Sequence, residues 1–150
     1  MNDAKRIMGV DLGEKRTGVA VTDLTGTLAG GLELIEADGM RSFAVKVIGL
    51  AEKYNVCEIV LGYPVNMNGT KGEKAEKAEK FKEKLEKLIE EKGLEIQVAL
   101  FDERLTTSLA HVYMNETGIK SKNRKQKIDM LSAQIILQNY IDRKQRGNFL

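Results

Sequence analysis

The sequence is poor in the residues that form disulfides and structural zinc sites. It contains one cysteine, Cys57, and one histidine, His111. A single cysteine cannot form an intrachain disulfide, which is typical of a protein of the reducing cytoplasm. One cysteine and one histidine also cannot supply the four ligands of a structural zinc ion. We therefore expect Cys57 to be a small core residue, His111 to be exposed and the protein to be cytoplasmic.

Long apolar runs are also absent. No run approaches the ~20 residues that a membrane-spanning helix needs, and no apolar segment follows the first six residues. Neither a membrane span nor a signal peptide is therefore expected. With 42% hydrophobic and 31% charged residues, the 150-residue chain has the composition of one globular domain, for which we expect the bounds 1–150.

The charges are segregated along the chain, although the formal net charge is only +2. From Lys120 onward, eight Lys and Arg residues stand against two acids, whereas the preceding part has sixteen against twenty. A basic segment beside an acidic site is what a ligand with a phosphate backbone requires. A solvated helix with a flexible basic loop explains the same charge equally well.

The hydrophobic pattern predicts the element order βββαβαβαα, with a loop at about 119–127 before the last helix. Short connections between three consecutive strands near the N-terminus predict an antiparallel meander, and the whole order predicts an α/β fold with a central mixed sheet flanked by helices. The apolar run 98–101 indicates a last strand buried on both faces. The strands are expected at about 6–12, 18–23, 27–35, 57–62 and 94–101, and three of the helices at about 72–92, 106–116 and 128–143.

Two of the predicted helices have distinct surface patterns. The first has Phe43, Val47 and Ala51 at helical spacing, with Ser42 near its N-cap. The second, at about 72–92, alternates Lys and Glu on its outer face. Such a face is far more often a solvated surface than a binding site.

Acidic residues stand at the ends of three predicted elements. Asp11 ends the first strand, the pair Asp102 and Glu103 follows the last strand, and Asp129 opens the last helix. An ionised Asp among strand residues costs several kcal/mol unless a cation or hydrogen-bond donors compensate it. If the three sites converge, their oxygens would suit one or two Mg²⁺ or Mn²⁺ ions. Individually, an outward turn at the strand end would explain Asp11, the helix dipole would explain Asp129, and an ion pair with Arg104 would explain Asp102.

Four ordered sequence blocks carry a resemblance that spans nearly the whole chain. On these blocks the chain resembles the YqgF/RuvX family of RNase H-like proteins, which are regarded as Holliday-junction resolvases or pre-16S rRNA nucleases. Two positions depart from the family pattern, because Tyr63 replaces the usual Leu and Asn68 the common Asp. The blocks are GVDLG with TGVAV (9–13 and 17–21), GYPVNMNGT (62–70), DERLTT (102–107) and IDMLSA with ILQ (128–133 and 136–138).

The resemblance implies an RNase H-like fold, with a five-stranded mixed sheet, and a catalytic metal site. Asp11, Glu103 and Asp129 match the acids proposed to bind metal in the family, and Asp102 is the weaker candidate of its pair. The implied activity is metal-dependent hydrolysis of phosphodiester bonds in structured RNA or branched DNA, with Mg²⁺ or Mn²⁺ as cofactor. The resemblance does not decide whether the function is pre-16S rRNA processing or junction resolution. It also does not decide whether the protein is a monomer or a homodimer.

Several polar residues are candidates for contact with nucleic acid. Lys15 and Arg16 lie in the turn after Asp11, although charged turn residues need no special role. Asn66 lies in a loop that could approach phosphate or could simply be a strand-to-helix turn. Arg104 could contact phosphate or only neutralise its neighbour. The predicted loop adds five basic candidates, Lys120, Lys122, Arg124, Lys125 and Lys127.

Two other functions are compatible with the sequence. The first is a nucleic-acid-binding module of the same fold that does no chemistry, in ribosome assembly or transcription. Its binding would be sensitive to salt and independent of divalent metal. The second is a nucleotide-hydrolysing protein of the sugar-kinase and actin type, whose first phosphate-binding hairpin resembles the segment 11–20. That architecture needs two lobes, and the chain has room for one.

Overall fold

The computed structural model describes residues 5–105 and 121–145, of which 105 and 121–129 are described by their backbone alone. Within these ranges, no helix combines the length and the apolarity that crossing a membrane requires. A single 3-10 turn (Glu103–Leu105) follows the last strand. The strands are β1 (Arg6–Asp11), β2 (Arg16–Thr22), β3 (Ala29–Glu36), β4 (Val56–Tyr63) and β5 (Gln97–Asp102), and the helices are α1 (Met40–Lys53), α2 (Glu73–Lys92) and α3 (Ser121–Gln145).

The strands form one mixed sheet in the order β3-β2-β1-β4-β5. The first three strands pair antiparallel, and β4 pairs parallel with both β1 and β5. Val10 in β1 lies beside Val19 on one side and Leu61 on the other. The predicted meander and the five-stranded mixed sheet are thus confirmed.

The two faces of the sheet are covered by different helices. Alternate residues of β1 point to opposite faces, as the pleat of a strand requires. Met8 and Val10 join Phe43 of α1 and Phe81 of α2 in the main core cluster. Ile7 instead packs against the residues that α3 contributes to two smaller clusters. The α3 face of β1 therefore carries positions 7, 9 and 11.

Helix α3 lies unusually close to the sheet because glycines face it. A methyl group on Gly9 would lie 2.7 Å from Cβ of Leu137 and 2.8 Å from the carbonyl oxygen of Ala133. On the neighbouring strand, a methyl group on Gly62 would lie 2.7 Å from Cδ1 of Ile136. Side chains other than hydrogen are excluded at both positions unless the helix or its side chains shift.

Polar contacts fix the direction of α3 across the sheet. At the start of β4, the buried Glu58 carboxylate accepts a hydrogen bond of 2.5 Å from the Tyr140 hydroxyl and pairs with Lys144 at 3.1 Å. Near the end of the same strand, Gly62 faces Ile136. Because the helix numbering falls as the strand numbering rises, α3 runs antiparallel to β4 and to the parallel strand β1. The N-terminal half of α3 therefore extends toward the C-terminal ends of both strands.

The start of α3 corrects the sequence interpretation. A loop was expected over 119–127 and a helix from about 128, but the helix begins at Ser121. The segment lacks the apolar periodicity that indicates a buried face, while its Lys, Arg and Gln residues favour helix formation. Asp129 consequently lies about 12 Å into the helix, beyond the reach of the dipole at the first turn.

Three smaller predictions also differ from the structure. Strand β5 is an edge strand in which Phe101 is buried while Val98, Ala99 and Leu100 are only partly buried, so the expected burial on both faces is incomplete. Cys57 is only half-buried on β4 rather than in the core. Helix α1 begins at Met40 with Gly39, at a positive φ of 99°, as its N-cap, so Ser42 lies in the first turn and is not the N-cap. The predicted helix 106–116 and His111 lie outside the described residues.

The tight contact at Gly9 predicts opposite effects for two glycine substitutions. Gly9→Ala should lower the free energy of unfolding by about 1–3 kcal/mol, because the added methyl forces α3 away from β1. Gly49→Ala is the matched control, since no atom would lie within 4 Å of its methyl group. In the exposed interior of α1, it should raise stability by roughly 0.5–1 kcal/mol. Chemical denaturation measures both, and equal stabilities for the two variants would contradict the packing described.

Candidate active site

The parallel strands bring two of the predicted acids to the same edge of the sheet. Asp11 is the last residue of β1, and Glu103 directly follows β5. Val10 is the partner of Leu61, so that Asp11 stands beside Gly62 at the next position of the two strands. Neighbouring strands are about 4.8 Å apart. The ends of β1, β4 and β5 thus form one continuous platform.

This platform is the floor of a cleft of about 830 Å³. Asp11 and Glu103 both line it. The remaining walls come from the β1–β2 turn, the start of α1, the loop after β4 and the first half of α2, and they include Glu14, Met40, Phe43, Pro64, Lys74 and Lys77. The structure therefore brings two acids that are 92 positions apart in the numbering into one cavity.

The Glu103 carboxylate occupies space that Gly62 leaves open. A methyl group on Gly62 would lie 3.1 Å from Oε2 of Glu103. Partial burial raises the pKa of the Glu103 carboxyl above its ordinary value, an effect that the charge of Lys74 opposes and that of Asp102 reinforces. Burial acts in this direction because it disfavours the ionised form. A cation bound beside this carboxylate would offset the cost of burying its ionised form.

Asp102 has a different environment from its neighbour. Its carboxylate accepts hydrogen bonds from Nε and Nη2 of Arg104, the second at 2.6 Å, and from the backbone N–H of Arg104 at 2.9 Å. The side-chain hydrogen bond with Arg104 is the main reason why the pKa of Asp102 is lowered. Arg104 thus neutralises Asp102, and Glu103 is the member of the pair that lines the cleft.

The third acid, Asp129, is described through its backbone. It lies one helical turn before Ala133, about 6 Å along α3 from the contact with Gly9. Asp11 lies two residues beyond Gly9, about 7 Å in the same direction. The backbone at 129 is therefore directed toward the end of β1 that carries Asp11. Among the side chains that the structure describes, no group of three or more His, Cys, Asp or Glu residues is placed to hold a metal ion.

The candidates for nucleic-acid contact have varied surroundings. Lys15 is exposed in the β1–β2 turn, whereas Arg16 forms an ion pair with Glu36 at 3.4 Å. Asn66 donates a hydrogen bond from Nδ2 to the Thr70 hydroxyl, 3.0 Å away, and so stabilises its own loop. Lys122, Arg124, Lys125 and Lys127 belong to the first two turns of α3 instead of a loop. Lys120 lies outside the described residues.

The sequence interpretation missed the contribution of α2 to the cleft. Lys74 and Lys77 line it, although the Lys/Glu pattern of this helix was interpreted as a solvated face. Lys77 lies 3.9 Å from Glu14 and 3.7 Å from Glu73. The order of the elements does indicate this contribution. Helix α2 follows β4, whose C-terminal end lies at the same sheet edge as Asp11, so the first turn of α2 lies near that edge.

Comparison with solved structures identifies the fold class. RuvC from T. thermophilus in complex with a Holliday junction substrate superimposes with a TM-score of 0.64, covering 96% of this chain and 97% of that chain at 14% identity. The fowlpox virus Holliday junction resolvase gives a TM-score of 0.53, covering 91% and 98% at 14% identity. At such identities the likeness concerns the fold, which is that of the RNase H-like nucleases.

Sequence relatives identify the family. The family model RuvX, described as Holliday junction resolvase, matches residues 5–143. A protein of Ruminiclostridium cellulolyticum named "Putative pre-16S rRNA nuclease" is 43% identical over 139 residues, covering 92% of this chain and 94% of the relative. A Geobacillus protein of the same name is 42% identical over 142 residues, covering 93% and 99%. The chain belongs to the RuvX family, as its sequence blocks predicted.

Because the pKa of Glu103 is raised, we expect that replacing Glu103 by a neutral residue stabilises the folded protein. Below the ordinary glutamate value of about 4.5, the carboxyl is protonated in both the folded and the unfolded protein, so burial carries no ionisation penalty. Above the raised pKa of the folded state, the carboxyl is ionised in both states, and the folded protein carries the full cost of burying the charge. Glu103→Gln should therefore raise the melting temperature at pH 7 to 8, and the gain should shrink as the pH falls toward 4.

Glu95→Gln provides the matched control for this measurement. Glu95 is exposed and forms no ion pair with any described residue, so its replacement should leave the melting temperature nearly unchanged at every pH. Melting curves of the parent and both variants between pH 4 and 8 would test the prediction. A Glu103→Gln variant that is less stable than the parent at pH 8 would show that the ionised carboxylate is stabilised in the fold.

Proposed function

We propose that this protein is a metal-dependent nuclease that hydrolyses phosphodiester bonds in structured nucleic acid. The observation that carries the proposal is the pairing of Asp11 and Glu103 in one cleft at the ends of parallel strands. The names of the relatives at 42–43% identity favour precursor 16S rRNA as the substrate. The family description makes a branched DNA junction the second substrate to test.

The residues of the cleft fit a divalent metal ion. Carboxylate oxygens are the ligands that Mg²⁺ and Mn²⁺ prefer, and Glu103 is a carboxylate whose partial burial a cation would offset. We assign Asp11, Glu103 and Asp129 as the ligands, because the backbone of α3 runs toward the end of β1 that carries Asp11. A metal ion held there would lower the pKa of a bound water and offset charge on the phosphate. Asp102 is not assigned, since Arg104 occupies its oxygens.

The remaining candidates would hold the phosphate backbone. Lys15 is exposed in the turn that lines the cleft, and the basic residues of the first two turns of α3 precede Asp129 toward the same end of the sheet. Arg16 and Arg104 must first exchange their partners Glu36 and Asp102 before they can bind phosphate. A four-way junction has two-fold symmetry, so that its resolution would require a homodimer, whereas rRNA processing is open to a monomer.

Loss of the Asp11 carboxylate charge tests the metal site. Asp11→Asn should reduce cleavage by about 100-fold or more, because the amide keeps the shape of the side chain but not its charge. Glu33→Gln, the same isosteric change at an exposed position of the edge strand β3, should cut like the parent. Cleavage of matched precursor-rRNA and four-way-junction substrates would be measured with Mg²⁺, with Mn²⁺ and with EDTA.

The outcomes separate the nuclease from a binding module. Cutting by the parent that requires metal and that Asp11→Asn abolishes, in a variant that keeps its circular dichroism spectrum, supports the nuclease. Salt-sensitive binding without any cleavage, unchanged in Asp11→Asn and in EDTA, would instead favour the non-catalytic module. Cleavage by Asp11→Asn at the parent rate would refute the metal site.

A further inference from the structure

A second cleft opens beside the first and shares part of its wall. Its volume is about 410 Å³, and the loop between β4 and α2 forms much of its lining. Pro64, Lys74 and Glu103 line both clefts, so the two meet at these residues. A chain that leaves the Asp11–Glu103 cleft at this junction would enter the second cleft.

The wall of the second cleft is held in place by hydrogen bonds. Glu79 of α2 accepts hydrogen bonds from the Tyr63 hydroxyl and from Nζ of Lys71, each at 2.9 Å. Within the loop, the Thr70 hydroxyl donates to Oδ1 of Asn68 at 2.6 Å. The loop is therefore tied to α2 at both of its ends, through Tyr63 and Lys71, and is stabilised internally between Asn68 and Thr70. A ligand in this cleft would meet a preformed surface.

The cations that line the two clefts differ in how they are neutralised. Lys77 pairs with Glu14 and Glu73, and Arg104 is held by Asp102. Lys74 forms no ion pair within 4 Å among residues 5–105 and 130–145, and its side chain is exposed. Its charge nevertheless reaches Glu103 electrostatically. Among the side chains that the structure describes, Lys74 is thus the cation at the junction that can bind an additional anion.

The chemistry of the junction points to phosphate as that anion. Glu103 at the junction and Asp11 beyond it carry negative charge that would repel a phosphate backbone as it leaves the cleft. A lysine ammonium is a compact point charge with three donors, which suits a single phosphate group. We propose that Lys74 binds a backbone phosphate of the nucleic acid where the strand passes from the first cleft into the second. This inference rests on the proposed function for its ligand.

Binding in the absence of metal tests Lys74 separately from catalysis. A fluorescent precursor-rRNA stem and a four-way DNA junction would be titrated with the parent in EDTA over a series of salt concentrations. Lys74→Ala should weaken binding to both probes, and the slope of log affinity against log salt should become shallower by roughly one, the value for one lost phosphate contact. Lys74→Arg should keep the parent slope.

Lys84→Ala is the matched control. Lys84 is an exposed lysine of the same helix, about 15 Å further along it, and it lines neither cleft. Its loss removes the same net charge and should leave the salt slope unchanged. An equal change in Lys84→Ala, or the parent slope in Lys74→Ala, would overturn the proposal.

Cleavage by the same proteins separates the two proposals. If the parent cuts in Mn²⁺ while Lys74→Ala keeps the parent salt slope, the phosphate contact is wrong and the nuclease function stands. If the parent fails to cut while Lys74→Ala loses one unit of slope, the nuclease function is wrong and the phosphate contact stands. A parent that binds neither probe in EDTA contradicts the Lys74 contact directly.

Discussion

The close packing of α3 against β1 and β4 is the constraint on which the rest of this structure depends. It is possible because Gly9 and Gly62 present no side chain to the helix. The helix backbone consequently approaches the strand until Ala133 and Leu137 touch it. This contact fixes the depth of α3, and its antiparallel course fixes which half of the helix reaches the C-terminal ends of the parallel strands. The position of the backbone at 129 follows from the packing of residues that carry no chemistry themselves.

The same constraint connects stability with the cleft. Gly62 makes room both for Ile136 of α3 and for the carboxylate of Glu103. That carboxylate is partly buried, and the resulting rise of its pKa means that the fold holds an acid under a desolvation penalty. Structures commonly carry such a penalty where function requires it. At the other end of β4, the buried Glu58 accepts a hydrogen bond from Tyr140 and pairs with Lys144. Glu58 thus ties α3 to the start of β4, whereas the proposed function gives Glu103 a role in the chemistry at the end of the strand.

The sequence predicted the parts of this molecule that depend on local pattern. The strands around Asp11 and Gly62 are rich in apolar residues, and the short connections between the first three strands determine the meander. The convergence of Asp11 and Glu103 follows from parallel pairing, which the family resemblance implied. The first two turns of α3 were not predicted because a helical segment without an apolar face leaves no periodicity, although its residues favour helix formation. The role of Lys74 was hidden for a related reason, since a lysine on a Lys/Glu-rich helix is distinguished from its neighbours only by the cleft beside it.

The distribution of charge around the cleft explains why so few of its cations can serve an incoming phosphate. Arg16, Lys77 and Arg104 each already face a carboxylate at 2.6–3.9 Å. Such pairs are worth little to stability at an exposed surface, yet they hold each cation in place and lower the positive potential that a polyanion meets. Binding strength must then come from cations outside these pairs. Lys74 stands at the junction of the clefts, and the basic first turns of α3 approach from the opposite face of the sheet. A nucleic acid that contacts both would therefore pass across the ends of β1 and β4, directly over the two acids.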